Sequence, residues 1–141
     1  MALIFWDTNL FVYFFEGNPE FGPTVHELGR RMQIRGDRLL TSTFTLGEIL
    51  VRPIRDKDAV TERQYRTIFL RPDIQIATFD QRAAEYYARV RQDSSIAAPD
   101  AIQLACAAAA GANLFITNDD RLSRKSIAGI DFVTSLARTP I

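Results

Sequence analysis

Apolar residues run without a break from Leu3 to Trp6 and stop at Asp7, which is the pattern of a strand buried on both faces. Thr8 to Phe15 reads as a short aromatic helix, broken by Gly17-Asn18-Pro19, and Glu20 to Arg35 as a second helix ending near Gly36. Arg38 to Ser42 is the next strand. Thr45 and Glu48 have capping-box spacing and open a helix expected to stop at Pro53. A helix over Ala59 to Leu70, a strand over Ile74 to Thr78 and a helix over Asp80 to Arg91 follow. Pro99 suits the first turn of a helix running to Ala110, with Gly111 as its stop. That helix is nonpolar nearly all round, so it is expected to lie against the sheet. Leu114 to Thr117 repeats the first pattern, an apolar run closed by acids, and Asp131 to Val133 is a short edge-strand candidate.

Strands alternating with helices predict an α/β fold with a mostly parallel sheet of four to five strands flanked by helices. In such sheets, sites form at the carboxyl ends of the strands. The 141 residues suffice for one domain, 1–141. A composition of 47% hydrophobic and 24% charged residues excludes disorder and fibrous repeats. Seventeen basic residues balance seventeen acidic ones, so no broad cationic face exists and any nucleic-acid contact must use local patches. The single cysteine, Cys106, cannot make an internal disulfide or a thiolate zinc site, and it reads as a small core residue. The apolar N-terminus has no basic stretch before it and is interrupted by Asp7 and Asn9, unlike a secretion signal. No run is long enough for a membrane span, and a cytoplasmic protein is expected.

The chemistry lies in acids scattered along the chain. Asp7 and Asp119-Asp120 follow two strands, Glu48 lies in the first turn after the second strand, and Asp100 lies in the first turn of the apolar helix. If the strands are parallel neighbours, Asp7 and Asp119 emerge at one edge, and Glu48 is able to face it. Periodicity leaves open whether Asp100 also reaches it. Each acid has an ordinary alternative as a cap, a capping-box partner or a turn residue. Together they are a different matter, because carboxylates about 4 Å apart repel by about 4 kcal/mol at an effective dielectric near 20. A cluster therefore calls for protons or a cation, and hard oxygen ligands without His or Cys select Mg2+ or Mn2+.

Four motifs in order carry a resemblance over essentially the whole chain: Asp7-Thr-Asn-Leu after the first strand, Thr43 to Pro53 around Glu48, Ala98-Pro-Asp100-Ala-Ile-Gln, and Leu114-Phe-Ile-Thr-Asn-Asp119. In this order and spacing the sequence resembles the PIN domain, in particular the VapC-type ribonuclease toxins of toxin–antitoxin pairs. The resemblance implies a metal-dependent endoribonuclease with catalytic acids at Asp7, Glu48, Asp100 and Asp119. Asp7, Asp100 and Asp119 would be ligands of Mg2+ or Mn2+, and Asn9 and Thr117 polar supports. Asp119 and Asp120 stand side by side, so the fourth acid is one of the two, Asp119 fitting the Thr-Asn-Asp pattern better and Asp120 ranking as a support.

The resemblance further implies an RNA substrate cut to 3′-hydroxyl and 5′-phosphate ends, a cognate antitoxin, and a homodimer. The dense aromatic run Phe11 to Phe15 suits either protein contact. Substrate phosphates need cations near the acids, and Arg121, Arg124, Lys125 and Arg52 are the candidates. A metal-free route through the ribose hydroxyl is disfavoured because His26 is the only histidine. The rival reading is a PIN-like domain without catalysis that binds partners in RNA processing.

Overall fold

The structure, a computed structural model, describes residues 1–141. Strand β1 (Leu3–Trp6) lies at the centre of a five-stranded sheet ordered β3-β2-β1-β4-β5. The others are β2 (Arg38–Ser42), β3 (Ile74–Ala77), β4 (Leu114–Thr117) and β5 (Phe132–Ser135), and every pairing is parallel. The upper expectation of five strands holds, with the edge strand β5 displaced by one residue and extended to Ser135.

Parallel neighbours need crossovers; six helices supply the first three, and the last, from β4 to β5, passes through the 3-10 turn Leu122–Arg124. Helices α1 (Thr8–Phe15) and α2 (Gly22–Arg35) join β1 to β2, and α3 (Thr43–Arg55) and α4 (Ala59–Ile68) join β2 to β3. Helices α5 (Gln81–Val90) and α6 (Ala98–Ala109) carry the chain back across the sheet from β3 to β4. That reversal puts α5 and α6 on the face opposite α1 and α2 if all crossovers share one hand. The core divides accordingly. Ile4, Trp6, Leu114 and Ile116 pack with Leu10, Phe11, Val25 and Leu28 on one face. Phe5 and Phe115 turn to the other, against Ala101, Leu104 and Ala108 of α6. The strands are apolar on both sides because both sides are covered, and the Phe5 and Phe115 rings stack 4.8 Å apart.

Two helix ends differ from the sequence reading. Helix α3 starts at Thr43, and its cap is Ser42, whose Oγ accepts the Thr45 N–H at 3.2 Å. Glu48 is thus no capping-box partner. Pro53 lies inside α3, one turn from its end, so it removes a single ladder bond without ending the helix. Helix α6 forms as expected from alanine propensity and Pro99 in its first turn, and Gln103 through Ala108 are buried. Cys106 is buried there, and its thiol pKa is pushed up to about 11, first by desolvation and then by Asp80, so it is inert. No helix is long and apolar enough to cross a membrane.

Candidate active site

Strand order reverses between β1 and β4, the place where an open α/β sheet leaves a crevice at its carboxyl edge. Asp7 follows β1 directly, and its N–H continues the ladder to the Ile116 carbonyl at 3.1 Å. Its side chain caps α1, Oδ1 accepting the Thr8 N–H at 2.9 Å, while Oδ2 accepts the Thr117 hydroxyl at 2.9 Å. Asp7 is only 9% exposed. Desolvation pushes its pKa up to about 6; the bonds from Thr117 and Thr8 oppose the rise, and the charges of Asp100 and Glu48 add to it.

The same electrostatic linkage extends to the other acids. Asp100, in the first turn of α6, has its pKa raised by burial and then by Asp119. The N-terminus of α6 therefore does reach the carboxyl edge, which periodicity had left open. Glu48 projects from α3, and its Oε1 accepts the Thr8 hydroxyl at 2.5 Å. Asp119 Oδ1 accepts the N–H groups of Arg121 and Leu122, at 3.0 and 3.1 Å, and so caps the 3-10 turn Leu122–Arg124; Oδ2 has no protein partner. Asp120 points elsewhere, pairing with Arg124 at 2.9 Å and Arg138 at 3.4 Å in an exposed cluster. Between the two adjacent aspartates, Asp119 is the one whose charge reaches Asp100.

Several expected roles are corrected by these contacts. The Thr117 hydroxyl donates to Asp7, whereas Asn9 is exposed on α1 and makes no side-chain hydrogen bond. Its neighbour Thr8 supplies the links instead, through its N–H to Asp7 and its hydroxyl to Glu48. Three of the four expected phosphate contacts are engaged with carboxylates: Arg52 with Glu16 at 3.0 Å, Arg124 with Asp120, and Lys125 with Asp93 at 2.9 Å. Arg121 alone has an exposed guanidinium in no ion pair. Arg52 and Glu48 share a cleft of about 290 Å3 whose other charged groups are Glu16, Asp56 and Asp58, so its field is negative.

No three His, Cys, Asp or Glu side chains stand close enough together to hold a metal ion among themselves. The expected triad of direct ligands, Asp7, Asp100 and Asp119, is therefore not closed in this structure. The donor set nonetheless fits a hard dication of the Mg2+ type: all donors are carboxylate oxygens, and one is buried beside two like charges. Mg2+ keeps several waters and is bound through one or two carboxylates, which does not require three side chains to converge.

Comparison with known proteins gives a consistent family. A structure of VapBC2 from Rickettsia felis bound to a promoter DNA fragment is similar with a TM-score of 0.68 at 18% identity, over 94% of this chain and 98% of that one. A toxin–antitoxin complex from Klebsiella pneumoniae matches with a TM-score of 0.63 at 23% identity, over 92% of this chain and 95% of that one. VapC20 of Mycobacterium tuberculosis, described as a toxin that cleaves the sarcin–ricin loop, matches with a TM-score of 0.62 at 19% identity, over 79% of this chain and 86% of that one. No curated protein matches the sequence significantly. The family model of the PIN domain spans residues 4–128, from β1 past the last acid of the carboxyl edge, and by that match the chain belongs to the PIN domain family.

Proposed function

We propose that this chain is a divalent-metal-dependent endoribonuclease and the toxin of a VapBC-type pair, with Asp7, Glu48, Asp100 and Asp119 as its catalytic acids. The observation that carries the reading is Asp7, a buried carboxylate at the strand-order reversal whose charge is opposed by Asp100 and Glu48. Like charges gathered in this way are unfavourable, and Mg2+ or Mn2+ held directly by one or two of Asp7, Asp100 and Asp119, and by the rest through its waters, would offset them. When bound, such an ion lowers the pKa of water and draws charge from phosphoryl oxygens. Thr8 and Thr117 hold Asp7 in one orientation, and Asp119 keeps its Oδ2 free of protein partners. Glu48, joined to Asp7 through Thr8, would complete the acidic shell or orient the attacking water. Arg121, two residues after Asp119, is the one of the four candidate cations in no ion pair and so free to meet a phosphate.

The antitoxin reading is supported by a groove of about 600 Å3 on the α1 and α2 side, lined by Phe11, Phe14, Phe15, Met32 and Ile68. Trp6 closes part of it; the indole is 3% exposed, and its Nε1–H has no acceptor in the chain. An apolar helix or extended arm is the occupant this surface fits. The solved toxin–antitoxin complexes of similar fold accord with such a partner.

The test is digestion of a mixed RNA pool with Mg2+ or Mn2+, comparing wild type with Asp100→Asn. Wild type is expected to leave 5′-phosphate ends, and the variant to leave the pool intact. Equal cleavage by the variant refutes the assignment of the acids. A wild type that binds Mn2+ without cutting any RNA favours the non-catalytic binding role instead. Addition of the small protein encoded beside the gene is expected to silence the wild type; full activity in its presence overturns the antitoxin reading.

A further inference from the structure

Gln103 lies in the second turn of α6, a helix otherwise almost wholly apolar, and is 1% exposed. A primary amide at that depth is unfavourable unless its groups are bonded, and this one makes three bonds. Its Oε1 accepts the Ser42 hydroxyl, and its Nε2 donates to Thr45 Oγ1 at 2.7 Å and to Thr8 Oγ1 at 3.1 Å. The contacts join α6 to the end of β2, the start of α3 and the start of α1.

The direction of this chain of bonds follows from one donor that cannot turn around. The Thr45 backbone N–H donates to Ser42 Oγ. Ser42 therefore has its own proton to pass on, and that proton meets Gln103 Oε1. The amide is thus held with Nε2 towards the two threonines. Thr8 Oγ1 accepts from Nε2, so its single proton is left for Glu48 Oε1. With the amide reversed, Oε1 would draw the Thr8 proton away from Glu48, and Nε2 would face a Ser42 oxygen already receiving an N–H. Glu48 is exposed, and the Thr8 hydroxyl is its only hydrogen-bond partner in the chain. Without it, the side chain regains its rotamers. Thr8 also donates its N–H to Asp7, and Gln103 lies on the same face of α6 as Asp100, three residues on.

We propose that Gln103 is a positioning residue that, acting through the Thr8 hydroxyl, holds the Glu48 carboxylate in register with Asp7 and Asp100. Its catalytic consequence rests on the nuclease reading above; its structural consequence does not. Outer groups that orient acids of this kind affect activity by about 10- to 100-fold when removed.

The variants are Gln103→Met, which keeps the shape without the bonds, Thr8→Val, which cuts the relay alone, and Thr8→Ser, which restores it. In metal-free protein labelled with carbon-13 in glutamate side chains, the Glu48 carboxyl resonance is identified by its loss in Glu48→Gln. That resonance is expected to move in Gln103→Met and in Thr8→Val and to stay in place in Thr8→Ser. With RNA and Mn2+, kcat is expected to fall about tenfold in the first two with KM unchanged, and Thr8→Ser to retain the wild-type value. The double variant is expected to be no slower than the slower single one, since both substitutions interrupt one path. A Glu48 resonance that ignores Thr8→Val, or that Thr8→Ser fails to restore, overturns the proposal even if Gln103→Met does not fold. A wild type that cuts no RNA overturns the nuclease reading alone, and the resonance still decides the positioning.

Discussion

Replacing Asp7 with Asn is expected to stabilise the metal-free protein above pH 7, although it removes a residue proposed to be essential. The Asp7 pKa stands at about 6 against 3.8 for the free group, a difference of about 2 units. At 1.36 kcal/mol per unit, keeping this carboxylate ionised in the fold costs about 3 kcal/mol. Because the folded pKa is the higher one, the folded state holds the proton more tightly. The contribution of Asp7 to stability is complete below about pH 4 and is lost as the pH rises through 6. Asn carries no charge to desolvate. It does weaken one contact, since an amide facing Thr117 donates where Asp7 Oδ2 accepts, and Thr117 Oγ1 already receives the Asp119 N–H at 3.1 Å. That loss is worth about 1 kcal/mol. The balance at pH 8 is a gain of about 2 kcal/mol, or several degrees in Tm for a chain of this size. At pH 4 only the loss remains, so the variant is there the less stable protein. Urea unfolding of both proteins in EDTA, at half-unit steps from pH 4 to 8, measures the difference directly; contributions from distant titrating groups cancel in it, and those of Asp100 and Glu48, which feel the Asp7 charge, are part of the same effect. A difference that does not change with pH, or a variant less stable than wild type at pH 8, would refute the claim that Asp7 is held as a strained charge.

The remaining predictions use the same site and the core beneath it. Mn2+ at about 100 times its Kd is expected to stabilise wild type by about 2.7 kcal/mol and to leave Asp7→Asn unmoved, as read by thermal melts with and without EDTA; equal shifts in both proteins place the ion elsewhere. Asp119→Asn is expected to abolish RNA cleavage while Asp120→Asn preserves it, because Asp120 is spent on exposed ion pairs with Arg124 and Arg138. The opposite result in cleavage assays makes Asp120 the fourth acid. Phe115→Ala is expected to lose about 3–5 kcal/mol in urea unfolding, since it removes a fully buried ring stacked on Phe5 beneath α6.

Much of the architecture could be read from the chain because burial leaves a local mark. Strands β1 and β4 are covered on both faces, so they appear as unbroken apolar runs, and the acid that ends each run marks where the sheet stops. Helix α6 is buried nearly all round and is written in alanine and leucine. The partner of a polar group carries no such mark. Thr45 and Glu48 have the spacing of a capping box, yet Ser42 has the same claim on the Thr45 N–H, and Glu48 finds Thr8 forty residues away along the chain. Arg52 and Lys125 look like free cations until the fold brings Glu16 and Asp93 to them. Gln103 reads as a polar interruption in an apolar helix, and nothing within α6 announces the three hydroxyls that surround it.

The sequence by itself determined the alternation of strands and helices, the parallel sheet and the acids that end its strands, because apolar burial and chain reversal are governed by residues close together in the chain. Only the tertiary structure decided that α6 starts at the carboxyl edge, that Asp119 and not Asp120 couples to Asp100, and that Thr8 and not Asn9 links Asp7 to Glu48. Those outcomes depend on hydrogen bonds and charges between separate elements, 40 residues apart for Thr8 and Glu48 and 110 for Asp7 and Thr117, whose strength follows distance in space and leaves no period in the sequence.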